Sequence, residues 1–247
     1  MKLKLIHPKT YYIEFKQLFR FVVNPIYNST QVLTKPQKIA GTWTMFVVKF
    51  VLTVIVGASI GVFYDAENLT TSNMKARFSP LVLLVLSLLI LPLLEEGAYR
   101  LSLKFKPIFP AITLSIFTYY IFSKGVYHTK LSDVYSHFME RCLIALSVVL
   151  VFYPLFSIPK IKHVLELFWT NHFRWIYYGS CLLFAWSHIT NYELTIEHLL
   201  LMPLITMDKL VSGLCYGYTR VHYGFYYSFA IHMLNNSIGF IVALFLV

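Results

Sequence analysis

Residues 81–100 read LVLLVLSLLILPLLEEGAYR, and this stretch decides the fold. Fourteen apolar or small residues lead without a charge into Glu95 and Glu96, and Arg100 follows one helical turn later. A run of that kind is a membrane-spanning helix, and carboxylates at such a helix are costly enough to mark a functional site by default. Glu96 and Arg100 are four apart, so they share a face and can pair. Glu95 points about 100° away from that face at about 3.6 residues per turn and is left to face a cavity. A partly buried carboxylate there suits a general base acting on water. The plainer alternative is an interfacial charge cluster that ends the span.

Outward from this segment the chain has the same character. Of 247 residues, 57% are hydrophobic and 13% charged, which excludes an ordinary soluble domain. Seven spans fit by length and hydropathy, at 42–64, 79–104, 107–123, 139–157, 174–190, 197–219 and 225–247. The expected fold is an all-α, polytopic transmembrane helical bundle, with an N-terminal arm over 1–41 and one membrane domain over 42–247. Within the arm, Phe15, Leu18, Phe19, Val22 and Val23 recur at helical spacing among polar residues, which fits an amphipathic helix on the membrane surface ended near Pro25. Lys2, Lys4, His7 and Lys9 interrupt any signal-peptide core, so no cleavable leader is expected.

The net charge of +10 follows topology and gives no nucleic-acid signal. Lys and Arg concentrate in the arm and on the connections that share its side, against Lys75, Arg77, Lys124, Lys130 and Arg141 opposite. The positive-inside rule therefore predicts a cytoplasmic N-terminus. Cys142, Cys181 and Cys215 all fall inside spans without paired spacing, and read as small apolar fillers.

Two further spans carry polar groups that can do chemistry. Phe184 and His188 are four apart, as are His232 and Asn236, with Asn235 beside them. A histidine and an amide on one helix can donate hydrogen bonds to a developing oxyanion. Each also has a structural alternative, in helix-end packing or interhelical hydrogen bonding. Gly57-Ala-Ser59-Ile-Gly61 matches GxSxG only superficially, since that elbow needs a strand before it; within a span it reads as a GxxxG packing face. HExxH is absent. Lys49, Asp208 and Lys209 also fall within spans, either as a structural ion pair or as the lining of a polar cavity.

In this order, Glu95-Glu96-Gly97-Ala98-Tyr99-Arg100, Phe184 to His188 and His232 to Asn236 resemble the EExxxR, FxxxH and HxxxN motifs of the CAAX-protease and bacteriocin-processing (Abi) intramembrane protease family. The stretch from Gly213 through Gly217, Arg220 and Ser228 also resembles that family's Gly-rich helix, so the resemblance covers about 80–240. It implies an intramembrane endopeptidase acting on a membrane-associated or hydrophobic peptide. In that reading Glu95, helped by His188, activates a water; His232 and Asn236 stabilise the oxyanion; Glu96, Arg100 and Phe184 support them. Glu95, His188 and His232 also match an open zinc site, although a water activated without protein-bound metal is preferred. Expected partners are a peptide or protein substrate and the lipid bilayer, with no nucleic acid, in a bacterial inner membrane. The competing functions are a non-catalytic scaffold or bacteriocin self-immunity protein, and a solute or proton transporter. One geometric tension stands: these span limits put Glu95 and His188 on opposite sides of the membrane midplane. Pro92 is the candidate cause of a kink that would join them.

Overall fold

The computed structural model describes residues 7–27, 32–64 and 66–245; Lys2 and Lys4 lie outside them. The fold is all-α, with no strand among the described residues. An N-terminal helix α1 (Pro8–Val23) precedes α2 (Lys35–Phe63). Pro80–Val85, a π turn at Leu86–Ile90 and Leu91–Tyr99 then run on as one element, α3. After it come α4 (Ile108–Ile121), α5 (Phe138–Ser157), α6 (Pro159–Ser187), α7 (Met207–His222) and α8 (Phe225–Phe245). Three stretches, Lys35–Phe63, Pro80–Leu103 and Phe138–Ser157, are long and apolar enough to cross a membrane. Val54, Ile55, Val62, Phe63, Leu143, Leu146, Leu150 and Val151 are all at least half exposed. Outward apolar surface on that scale needs lipid rather than water, and the chain is a membrane protein.

Several limits differ from the hydropathy reading. Helix α2 starts at Lys35, ahead of 42, because the Thr34 amide donates to Gln37 Oε1 (2.8 Å) and Pro36 fits the first turn. The span expected at 197–219 begins as two short helical pieces, Ile196–Leu200 and Met202–Ile205, around Pro203; its long helix starts only at Met207. Helix α6 extends back to Pro159 rather than 174, through a polar first half with a kink at His172.

That longer α6 removes the tension between Glu95 and His188. Trp169 Nε1 donates to Ser102 O (2.6 Å), and the Ser180 hydroxyl donates to Tyr99 O, which sets α6 alongside the end of α3. Phe184, one turn beyond Ser180, then lies against Tyr99 and Arg100, and His188 follows a turn later on the Phe184 ring that His232 also meets. Helices α4 and α5 pair with each other; α4 also packs on α3, and α5 stays on the lipid side. The extra pair thus returns the chain for α6, and α4 supports the end of α3 by setting Phe117 against Tyr99 and Thr113 on Gly97 O.

Helix α7 is the centre of the bundle, packed by α1, α2, α6 and α8. Its glycines let neighbours approach: a Cβ on Gly217 would stand 2.7 Å from the buried Tyr177 ring. Gly217→Ala is therefore expected to cost about 1–3 kcal/mol by overpacking, read as a lower midpoint of thermal unfolding in detergent. Gly57 and Gly61 behave differently from the expected packing face. No atom comes within 4 Å of a Cβ built on either, and both line a cavity of about 150 Å³ with Tyr64, Tyr192 and Asp208.

Helix α1 has two apolar faces. Leu18 and Phe21 are buried against the bundle, whereas Tyr12, Phe15, Phe19 and Val23 remain exposed, the pattern of a docked helix that also meets lipid. Glu14 is buried on the docked face and accepts from the Tyr223 hydroxyl. Burial pushes its carboxyl above the usual carboxylate range, outweighing the Tyr223 bond, which favours the ion. The folded protein thus holds the protonated acid more tightly than the unfolded chain does. That stabilisation is complete below the ordinary carboxylate pKa and lost as pH rises through the raised one. Glu14→Gln is expected to raise the melting temperature near about pH 8 and leave it unchanged near about pH 4, measured in matched detergent buffers.

Candidate active site

Two helices meet at the acids of α3. Glu96 is fully buried, and its Oε1 stands 3.7 Å from Arg100 Nη1 and 3.0 Å from His232 Nδ1. The Ser228 hydroxyl donates to the other oxygen, Oε2. On the far side of the imidazole, His232 Nε2 is 3.4 Å from Glu95 Oε2, and the Glu95 side chain keeps 26% exposure. The result is a linear array of carboxylate, imidazole and carboxylate with a guanidinium behind it. Buried charges persist when paired. If both glutamates are ionised, the array balances when His232 carries protons on both nitrogens, giving two negative and two positive charges.

Aromatic rings hold the array. Arg100 Cζ lies 3.7 Å from the Phe184 ring centroid, with Tyr216 at 5.3 Å and Tyr99 at 5.7 Å. None of the Arg100 side-chain nitrogens has a hydrogen-bond partner among the described residues, so ring faces and Glu96 stabilise the cation. Tyr216 stacks on His232 at 4.7 Å, and Gly213 makes room for Arg100 and Phe184. The end of α3 is secured by Arg220, which donates to Leu101 O (2.9 Å) and to Arg100 O (3.1 Å), a carbonyl that also accepts from the Leu103 N–H.

His188 sits at the C-terminal end of α6, 4.6 Å from the Phe184 ring centroid, with His232 on the same ring at 6.0 Å. Its Nδ1 is 2.7 Å from Phe184 O. A carbonyl only accepts, so Nδ1 carries a hydrogen, and in the neutral imidazole Nε2 then presents a lone pair. His188, His232, Asn235 and Asn236 line a cavity of about 200 Å³ together with Lys49, Asp208 and Lys209.

Asn236 is engaged in a way that the spacing did not reveal. Pro92 has no N–H, and the Leu91 N–H bonds to Leu86 O, so the Ser87 carbonyl has no donor in the π turn. Asn236 Nδ2 fills that vacancy at 3.0 Å. One of its amide hydrogens therefore pins α8 to α3 instead of waiting for an oxyanion. Lys49, 2% exposed, donates to Asn235 Oδ1, and Asp208 pairs with Lys209 at 2.7 Å. Both earlier readings of these charges hold in part: one ion pair forms, and all three groups line the cavity.

The zinc reading requires Glu95, His188 and His232 around one ion. Among the described residues no three His, Cys, Asp or Glu side chains stand close enough for that, and both nitrogens of His232 face carboxylates. As placed, these residues do not fit a metal, and no step below passes through one. Cys181 and Cys215 are buried and Cys142 half-buried, all as free thiols.

Ser228 and Tyr216 fall within the Gly-rich stretch quoted from the sequence, which gave neither a role at the site. Ser228 was within reach, since it lies four before His232 and so on the same helix face. Tyr216 carries no such signal among the many tyrosines. Fold and site together define an all-α membrane protein with a buried carboxylate–imidazole array opening on a polar cavity. No protein-family model, curated protein or solved structure matches the chain.

Proposed function

We propose that the chain is an intramembrane endopeptidase that hydrolyses a peptide bond in a membrane-associated or hydrophobic substrate. The observation that carries this reading is Glu95, a half-buried carboxylate 3.4 Å from an imidazole whose other nitrogen is held by the buried Glu96. General bases in hydrolases are oriented in this manner by a partner that is itself oriented.

In this mechanism a water binds between Glu95 and His188. His188 Nε2 accepts one hydrogen and fixes the direction of the lone pair; Glu95 removes the other as oxygen adds to the carbonyl carbon. The proton on Glu95 then passes to the amide nitrogen, the C–N bond breaks, and a carboxylate and an amine leave. His232, held on Glu96, keeps the negative charge on Glu95 tolerable before the transfer. The basic bias of the N-terminal connections supports a cytoplasmic N-terminus, and a bacterial inner membrane is the setting proposed.

The test compares new protein N-termini in membranes that express wild type or Glu95→Gln at equal abundance. Termini lost in the variant support the hydrolase and locate its bond. Identical termini, with any cellular phenotype kept in the variant, would move the reading to a binding or immunity scaffold.

A further inference from the structure

We propose that Lys49 is a catalytic residue of this site, and that its ammonium binds the oxyanion formed when water adds to the substrate carbonyl. The inference rests on the hydrolase reading above and extends it to a helix, α2, that lies outside the motif-bearing segments.

The donors expected for that oxyanion are partly committed elsewhere, which leaves Asn236 one of its two amide hydrogens. Asn236 gives one amide hydrogen to Ser87 O. His232 has both nitrogens turned to carboxylates, Nδ1 3.0 Å from Glu96 Oε1 and Nε2 3.4 Å from Glu95 Oε2. Neutral His188 offers a lone pair and no hydrogen to the cavity. Lys49 has no such commitment. It lines the same cavity, is 2% exposed, and donates to the uncharged Asn235 Oδ1. A lysine ammonium has three hydrogens, so two remain to be given.

Charge makes the same argument. No carboxylate lies within ion-pair distance of Lys49 among the described residues, because Asp208, the acid of this cavity, is taken by Lys209. Lys49 is therefore a buried amine with no close ion pair among the described residues, a position that is costly for its charged form. The anion of matching size that the proposed reaction creates is the tetrahedral oxyanion. A preorganised charge in a low-dielectric site stabilises such a species and acts only when it forms. Asn235 aims the ammonium, and the Tyr216 ring, 5.6 Å from Nζ and stacked on His232, bridges Lys49 and His232.

The experiment uses the full-length protein in detergent and a quenched peptide spanning the bond located by the N-terminus comparison. Lys49→Met keeps the stem and removes the charge. Its kcat is expected to fall about 10²–10³-fold with KM changed by less than about threefold, the signature of an interaction made only in the transition state. Affinity for a phosphinate analogue of the same peptide should fall by a similar factor. Should Lys49→Met fail to fold, Lys49→Cys alkylated with bromoethylamine restores an ammonium at the same length. Recovery of at least tenfold over the unmodified Cys variant supports the proposal, and fully labelled protein without recovery overturns it. A folded Lys49→Met with kcat within about threefold of wild type also overturns it, while leaving the hydrolase reading intact. Absence of cleavage by wild type removes both.

Discussion

Glu95→Gln is expected to lower peptide turnover by at least about 10³-fold, within the range for loss of a general base. Glutamine has nearly the same shape and can still meet His232 Nε2 at the position Glu95 Oε2 occupies, 3.4 Å away. It cannot accept the proton of an attacking water. Because Glu95 is partly exposed while Glu96 is fully buried, the substitution should leave the melting temperature within a degree or two of wild type. Single-turnover cleavage of the quenched peptide, at matched protein and after size-exclusion chromatography, gives the ratio. A variant within tenfold of wild type would show that the base is another group, with His188 next in line. Glu96→Gln supplies the contrast. It removes the charge that holds His232 Nδ1 and balances Arg100, so activity and stability should fall together.

The sequence carried the site only where local spacing encodes it. Glu96 and Arg100 are one turn apart, as are Phe184 and His188, and each pair meets its expected neighbour because helical geometry is local. Which helix meets which is another matter. The bond from Asn236 to Ser87 depends on a carbonyl that Pro92 deprives of its donor, and its partner arrives from a helix far along the chain. Pro92 was legible as a cause of distortion, but the acceptor it exposes was not.

Hydropathy located the helical segments and misplaced several of their ends. In α6, Lys160, Lys162, His163, Glu166, Asn171 and His172 depress the apolar signal over residues that are nonetheless helical. What hydropathy could not supply was the register of α6 on α3, set by Trp169 on Ser102 O and Ser180 on Tyr99 O. The GxxxG of α2 failed for a related reason. Small residues permit close packing without requiring it, and here they open a cavity. Lys49 shows the opposite limit: its place inside an apolar span flagged it as costly, and only the packed structure showed which cavity it lines and how far Asp208 is committed elsewhere.

Arg100→Leu is expected to be the most destabilising single change at the site, at about 3–5 kcal/mol, the cost of leaving one member of a buried pair uncompensated. The loss has two sources. Glu96 keeps its charge at zero exposure, with only His232 and Ser228 to stabilise it. The Phe184, Tyr216 and Tyr99 rings also lose the cation they surround. Lysine should not rescue the position, because an ammonium is compact and cannot spread over the Phe184 face as a guanidinium 3.7 Å away does. The informative variant is the double one, Arg100→Leu with Glu96→Leu. Removing both charges removes the uncompensated carboxylate, so the midpoint of unfolding in graded SDS should recover at least half of the loss. Activity should not recover at all, since His232 Nδ1 then has no carboxylate and nothing fixes Nε2 towards Glu95. A double variant no more stable than Arg100→Leu would mean that the rings and not the ion pair carry the stability. A double variant that regains turnover would mean that Glu95 works without the array behind it, and the hydrolase reading would lose the observation on which it stands.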